Sequence, residues 1–181
     1  MPGHDPFVVF LDRDGVINRM RSDYVKRWEE LEIVPGALPA LGRLSAGGCE
    51  LIVLTNQSAI GRGLVSRQTV DEIHRRLAQA IEASGGRVRE FLVCPHTPTD
   101  GCGCRKPAPG LLIRARDEFG VDLSNAVLVG DQLSDVAAAR AAGCRAILLD
   151  PTGELAAGLG GDGYVVAGSL SDAADIILRD R

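Results

Sequence analysis

FVVFLDRDG, residues 7–15, is an apolar run that stops at a carboxylate. The unbroken stretch from Phe7 to Leu11 suits a strand buried on both faces, and Asp12 then falls just past its end. The same pattern recurs at ELIVLT (50–55), RVREFLV (87–93), AVLVG (126–130) and RAILL (145–149). Between these runs the apolar residues return every three or four positions, as on one face of a helix. Leu38, Leu41 and Leu44 do so after Pro35, and Val70, Ile73, Leu77 and Ile81 do so within 66–83. Leu111, Leu112, Ala115 and Phe119 follow Pro109 in the same way, and Leu133, Val136, Ala137 and Ala141 run up to Gly143, a natural helix terminator. A last helix is expected over Leu170 to Leu178. Strands alternating with helices predict an α/β protein, a Rossmann-like three-layer sandwich around a central parallel sheet.

The chain has 181 residues, enough for one domain with a sizeable core, and no linker or repeat divides it. A single domain over 1–181 is expected. With 45% hydrophobic residues, 24% charged residues and a formal charge of −4, there is no basic footprint, so nucleic acid is not an expected partner. No apolar run has the length of a membrane span, and MPGHDP at the start lacks the basic and apolar regions of a secretion signal. The five cysteines are an odd count, and Cys94, Cys102 and Cys104 are bunched, which argues for a reducing cytoplasm over a disulfide framework. No extended apolar surface pattern is left over, so a monomer is expected. GELAAGLGGDG (153–163) reads as a mobile surface loop. Its Gly158, Gly160 and Gly163 fit a G-x-G-x-x-G spacing, but a strand-like run follows where a dinucleotide fingerprint requires a helix.

Open parallel sheets bind ligands beyond the carboxyl ends of their strands. Asp12 and Asp14 follow the first strand, Thr55 ends the second, Arg105 and Lys106 follow the third, and Asp131 and Asp135 follow the fourth. A lone Asp after a strand is commonly a cap or turn former. Four strand ends carrying this set together point instead to phosphoryl transfer. Asp12 and Asp131 form a hard oxygen site suited to catalytic Mg²⁺. Asp12 is then the nucleophile, Asp14 the proton carrier, and Thr55 and Lys106 the holders of the phosphoryl oxygens.

FLDRDGVIN, LTNQS, CRKP and VGDQLSD together resemble the haloacid-dehalogenase-like phosphatases over about residues 7 to 150. Within them the chain resembles the histidinol-phosphate and heptose-bisphosphate phosphatase group. The resemblance implies a minimal cap, and Mg²⁺ held by the Asp12 side chain, the Asp14 backbone carbonyl and Asp131. TNQSAIGRG is similar to the TNQSGIARG of the heptose enzymes, where histidinol-phosphate enzymes more often carry Asp at the place of Ser58. This implies a phosphorylated-sugar substrate, D-glycero-D-manno-heptose 1,7-bisphosphate cleaved at the 7-phosphate, on a route to nucleotide-activated heptose. Arg13, Asn56, Gln57, Ser58, Arg105 and Gln132 are the candidate substrate contacts. Gln132 departs from a Lys often found there. A histidinol-phosphate phosphatase and a non-catalytic zinc-bearing binding module are the rival readings.

The resemblance also bears on CPHTPTDGCGCRKP (94–107). Cys94, His96, Cys102 and Cys104 suit a closed structural Zn²⁺ site, and the loop 94–104 would then aim Arg105 and Lys106. The C-x-x-C spacing of a redox pair is absent. Residues 19–34 are expected to cover the mouth of the site, with Tyr24, Lys26 and Trp28 either contacting substrate or anchoring the segment. His4 and His74 are expected to lack partners, His74 lying on the polar side of its helix. Cys49 and Cys144 read as small core residues.

Overall fold

The computed structural model describes residues 6–154 and 163–180. His4, and Gly158 and Gly160 of the glycine spacing, lie outside the described residues, as does most of the 153–163 loop. The strands are β1 (Val8–Leu11), β2 (Glu50–Asn56), β3 (Val88–Cys94), β4 (Ala126–Gly130), β5 (Arg145–Leu149) and β6 (Val165–Ala167). The helices are α1 (Ala37–Ala46), α2 (Ser58–Gly61), α3 (Arg67–Ala83), α4 (Gly110–Phe119), α5 (Leu133–Ala142) and α6 (Leu170–Arg179). All strand pairs are parallel, in the order β3-β2-β1-β4-β5-β6. The chain therefore winds outward twice from β1, first to one side and then to the other. The switch point lies between the carboxyl ends of β1 and β4, where such sheets open a crevice.

Side chains alternate across the sheet and build two cores. Val9, Leu11, Leu51, Val53, Val127 and Val129 pack with α1, α3 and α6 on one face. Phe10, Ile52, Leu54, Leu92 and Leu128 pack with α4 and α5 on the other. Central strands need apolar residues on both faces, which is why β1 and β4 are unbroken runs. The two edge strands are more exposed at their starts, and β3 places Arg89 and Glu90 there. Gly143 adopts a left-handed φ of 72° and closes α5 as expected. Cys49 and Cys144 are buried and in no disulfide, as their positions beside strands suggested. A strand, β6, follows Gly163, so the glycine spacing has no helix after it. No helix among the described residues is long and apolar enough to cross a membrane.

The segment between β1 and α1 folds back over the strand ends. It is fastened by Arg19 N–H donating to the Glu32 carbonyl (2.8 Å) and Val34 N–H to the Ile17 carbonyl (2.9 Å). Trp28, in a short 3-10 turn, packs on the core beneath. Lys26 is taken up by Asp23, so of the three residues considered only Tyr24 reaches the cleft below.

Candidate active site

Asp12 and Asp131 come from adjacent strands. The Asp12 N–H donates to the Val129 carbonyl at 2.9 Å, which fixes the end of β1 against the end of β4. One carboxylate oxygen each of Asp12, Asp131 and Asp135 lie within 4.8 Å of one another. Lys106, 4% exposed, sits among them. Its Nζ is 3.0 Å from Asp12 Oδ2 and 2.6 Å from Asp135 Oδ1, and it donates to the Leu54 carbonyl at 2.9 Å. Burial works against the ammonium, but the charges of Asp12 and Asp135 outweigh it and raise the Lys106 pKa above its ordinary value. Burial pushes the Asp12 carboxyl up to about 7 against the pull of Lys106. It also raises Asp131, whose Oδ1 is buried without a hydrogen-bond partner.

That orphaned oxygen fits a cation. Asp135 is occupied by Lys106 and by the Gln132 N–H (3.1 Å), which leaves Asp12 and Asp131 as the hard oxygen donors that could hold Mg²⁺. The approach depends on two glycines. A Cβ at Gly15, which has φ +88°, would overlap the Asp131 carboxylate, and one at Gly130 would overlap Asp135. Asp135 has no site role in the sequence reading. Its spacing of four from Asp131, on the first turn of α5 behind a glycine, is the signal that marks it.

Asp14 is held differently. Arg13 Nη2 donates to both of its oxygens (2.8 and 2.9 Å), Asn18 Nδ2 to one (2.8 Å) and Gln57 Nε2 to the other (2.6 Å). Burial alone would raise this carboxyl, but the Arg13 charge and these bonds outweigh it and hold the pKa below the ordinary carboxylate value. Gln57 also donates to the Thr55 hydroxyl at 2.8 Å. Three expected substrate contacts are thus engaged within the protein. Arg13, 1% exposed, turns its guanidinium inward to Asp14. Gln57 ties Asp14 to Thr55, and Asn56 clasps the Lys106 backbone, accepting from its N–H (3.2 Å) and donating to its carbonyl (3.1 Å). All three also line the cleft described below.

The structure also corrects the reading of His74. It is buried, not on a polar face, and lies 3.0 Å from Arg13 Nη1 with its ring stacked on Phe91. The sequence holds the clue, because position 74 is four beyond Val70 and three before Leu77, on the apolar stripe itself.

A cleft of about 350 Å³ opens above these groups. Asp12, Lys106, Ser58 and Gln132 line it, and Arg21, Tyr24, Arg62 and Arg105 are also in its wall. Ser58 Oγ reaches Tyr24 Oη at 3.5 Å, Gln132 Nε2 donates to Asp131 Oδ2 at 3.2 Å, and Arg105 Nη1 donates to the His96 carbonyl at 3.3 Å.

The Cys94, His96, Cys102 and Cys104 donors converge on the loop that carries Arg105. Cys94 and Cys102 sulfurs are 3.7 Å apart, Cys102 and Cys104 3.6 Å, and Cys94 and Cys104 3.1 Å. His96 Nδ1 lies 3.6 Å from Cys94 Sγ and 3.3 Å from Cys104 Sγ. These separations are too long for disulfides. They approach the edges of a tetrahedron, about 3.6–3.8 Å, set by zinc–sulfur and zinc–nitrogen bonds. The loop is joined at both ends to the residues that flank the carboxylate cluster. Gln57 N–H donates to the Cys94 carbonyl at 2.8 Å, and Asn56 holds Lys106, two residues after the last cysteine.

Residues 103–172 match the family description HAD-hydrolase-like. The D-glycero-beta-D-manno-heptose-1,7-bisphosphate 7-phosphatase of Pseudomonas aeruginosa is 39% identical, covering 95% of this chain and 98% of that protein. The D-glycero-alpha-D-manno-heptose-1,7-bisphosphate 7-phosphatase of Mycobacterium bovis is 44% identical over 74% of this chain and 71% of that one. The D,D-heptose 1,7-bisphosphate phosphatase of B. bronchiseptica, solved with magnesium and phosphate, superposes with a TM-score of 0.90 at 36% identity, covering 96% of this chain and 99% of that chain. With the sheet order, the strand-end carboxylates and this likeness along nearly its whole length, the chain belongs to the haloacid-dehalogenase-like phosphatase family.

Proposed function

We propose that the protein is a Mg²⁺-dependent phosphatase that removes the 7-phosphate of D-glycero-D-manno-heptose 1,7-bisphosphate. The observation that carries the chemistry is the cluster of Asp12, Lys106 and Asp131 at the strand ends, with Asp12 and Lys106 buried and lining the cleft and Asp14 alongside. Asp12 attacks phosphorus, and the bond to the sugar oxygen breaks as Asp14 gives that oxygen a proton. Asp14 then takes a proton from a water molecule, which attacks the aspartyl-phosphate and releases inorganic phosphate. For the first step Asp14 must carry a proton on one oxygen; the negative charge of the bound phosphate favours this, and Arg13 still donates to the other oxygen. The Thr55 hydroxyl accepts from Gln57 and so keeps its own proton to donate to a phosphoryl oxygen. Lys106 offers charge to the same group. Mg²⁺, when held by the Asp12 and Asp131 carboxylates and the Asp14 backbone carbonyl, neutralises phosphoryl charge and keeps Asp12 ionised.

The heptose reading is supported by the names of the relatives and by the cleft wall, where Arg62 and Arg105 supply positive charge for a second phosphate. Cys94, His96, Cys102 and Cys104 would hold Zn²⁺ with four protein ligands, and its task would then be to fold the loop and aim Arg105 and Lys106. A reducing cytoplasm keeps those thiols available, and the chain works as a monomer, which light scattering on the purified protein checks. The deciding assay is kcat/KM with Mg²⁺ for both anomers of the heptose bisphosphate, histidinol phosphate and simple sugar monophosphates. A heptose bisphosphate should lead the panel. A preference for histidinol phosphate would overturn the substrate, and no turnover of any ester would overturn the enzyme.

A further inference from the structure

His74 and Arg13 are 61 positions apart in sequence and meet beneath the cleft floor. A guanidinium has donors and no acceptor, so His74 Nε2, 3.0 Å from Arg13 Nη1, must be the acceptor. The ring proton then sits on Nδ1 and the imidazole is neutral. Burial, and next the charge of Arg13, push the His74 pKa down to about 3, in agreement with that geometry. The ring cannot swing away easily, because it lies flat on Phe91 with centroids 4.6 Å apart and planes 16° from parallel. It occupies the apolar stripe of α3 beside Ile73 and Leu77, where an aliphatic side chain would pack with no polar atom to satisfy. The Nη2 end of the same guanidinium grips both Asp14 oxygens. The Arg13 Nε is buried with no hydrogen-bond partner among the described residues, so the group is fixed at its two outer nitrogens alone.

We propose that His74 is a positioning residue: as a neutral acceptor it anchors Arg13, and through Arg13 it sets where the Asp14 carboxylate stands. The proposal rests on Asp14 being the proton carrier, and it extends the reaction machinery to a helix that touches no substrate. Removing the acceptor while keeping the ring stack would leave a buried guanidinium donor unpaired, and Arg13 would turn to find another partner, carrying Asp14 with it.

The test compares leaving groups. A sugar alkoxide needs a proton as it departs, whereas nitrophenolate does not. For His74→Phe, kcat on the heptose bisphosphate should fall about tenfold or more, with KM within about twofold of wild type. The first-turnover burst of nitrophenolate from p-nitrophenyl phosphate should be unchanged. His74→Gln, which restores an acceptor, should recover most of the lost kcat. Equal loss on both esters in His74→Phe, or no recovery in His74→Gln, would overturn the proposal. Asp14→Asn run alongside separates the two layers of the argument. If it lacks leaving-group dependence, the proton-carrier reading fails and this proposal falls with it. If it shows that dependence and His74→Phe does not, the proposal fails alone. Nitrogen NMR of the wild-type protein gives a readout independent of any variant's folding. It should show His74 as the neutral tautomer with an unprotonated Nε2 at pH 7, and a protonated Nε2 would overturn the assignment.

Discussion

Asp12 and Asp14 are two residues apart and are prepared in opposite ways. Asp12 is buried, with the Asp135 carboxylate adding to the effect, so its pKa is raised to about 7 against the pull of Lys106, whereas Asp14 is surrounded by donors and its pKa is held below the ordinary carboxylate value. Asp12→Asn keeps the shape and removes the proposed nucleophile. Turnover of the heptose bisphosphate should disappear while the circular dichroism spectrum stays that of the folded wild type, and surviving turnover would sink the covalent mechanism. Asp135 acts through Lys106. Asp135→Ala removes the nearer of the two buried carboxylates on Lys106 and leaves Asp12 as its partner, so it should cost about 1–3 kcal/mol in urea unfolding. Gly15 tests the closeness of the metal carboxylates. Gly15→Ala must adopt φ +88° and also displace the Asp131 carboxylate. It should cost about 1–2 kcal/mol in backbone strain and weaken Mg²⁺ activation far more than it weakens folding, measured by Mg²⁺ titration of activity.

At the scale of elements, the cysteine loop and β2 are one device. From Ile52 onward β2 pairs with β3 in one register up to Asn56 and Cys94, so the sheet delivers the first sulfur donor beside the residue that clasps Lys106. Between them the loop has two prolines and two glycines and little core of its own. Four donors closing on a cation would supply the folding energy that its sequence lacks. Cys102→Ser, or removal of metal by a chelator, should therefore lower kcat and raise KM together, because both Lys106 and Arg105 lose their anchorage. Added Mg²⁺ should fail to restore activity and added Zn²⁺ should restore it in the chelated wild type. Full activity in a protein shown by metal analysis to be zinc-free would break the link between loop and chemistry.

Across the whole molecule the cost of gathering carboxylates appears as a pH dependence. In the metal-free protein the Asp12 carboxyl titrates near 7 when folded and near 3.8 when unfolded. Between those values the unfolded chain releases the proton more readily, so raising the pH through this window favours unfolding. The thermal midpoint of metal-free wild type should fall from about pH 4 to about pH 7 relative to Asp12→Asn, and saturating Mg²⁺ should remove the difference. A pH-independent gap between the two proteins would contradict the burial of that charge. The architecture behind this was legible before any coordinates. Unbroken apolar runs specify strands covered on both faces, helical periodicity specifies what covers them, and a parallel sheet can present Asp12, Thr55, Lys106 and Asp131 only at one edge. Local pattern determines burial and direction, because a side chain's face follows from its place in the repeat. It does not determine which polar groups meet. That His74 accepts from Arg13, that Gln57 ties Thr55 to Asp14, and that Asp135 shares Lys106 with Asp12 were decided only when α3, β2 and α5 docked on the sheet. Each of those bonds joins separate elements, and its length depends on how the elements pack, which no periodicity along the chain encodes.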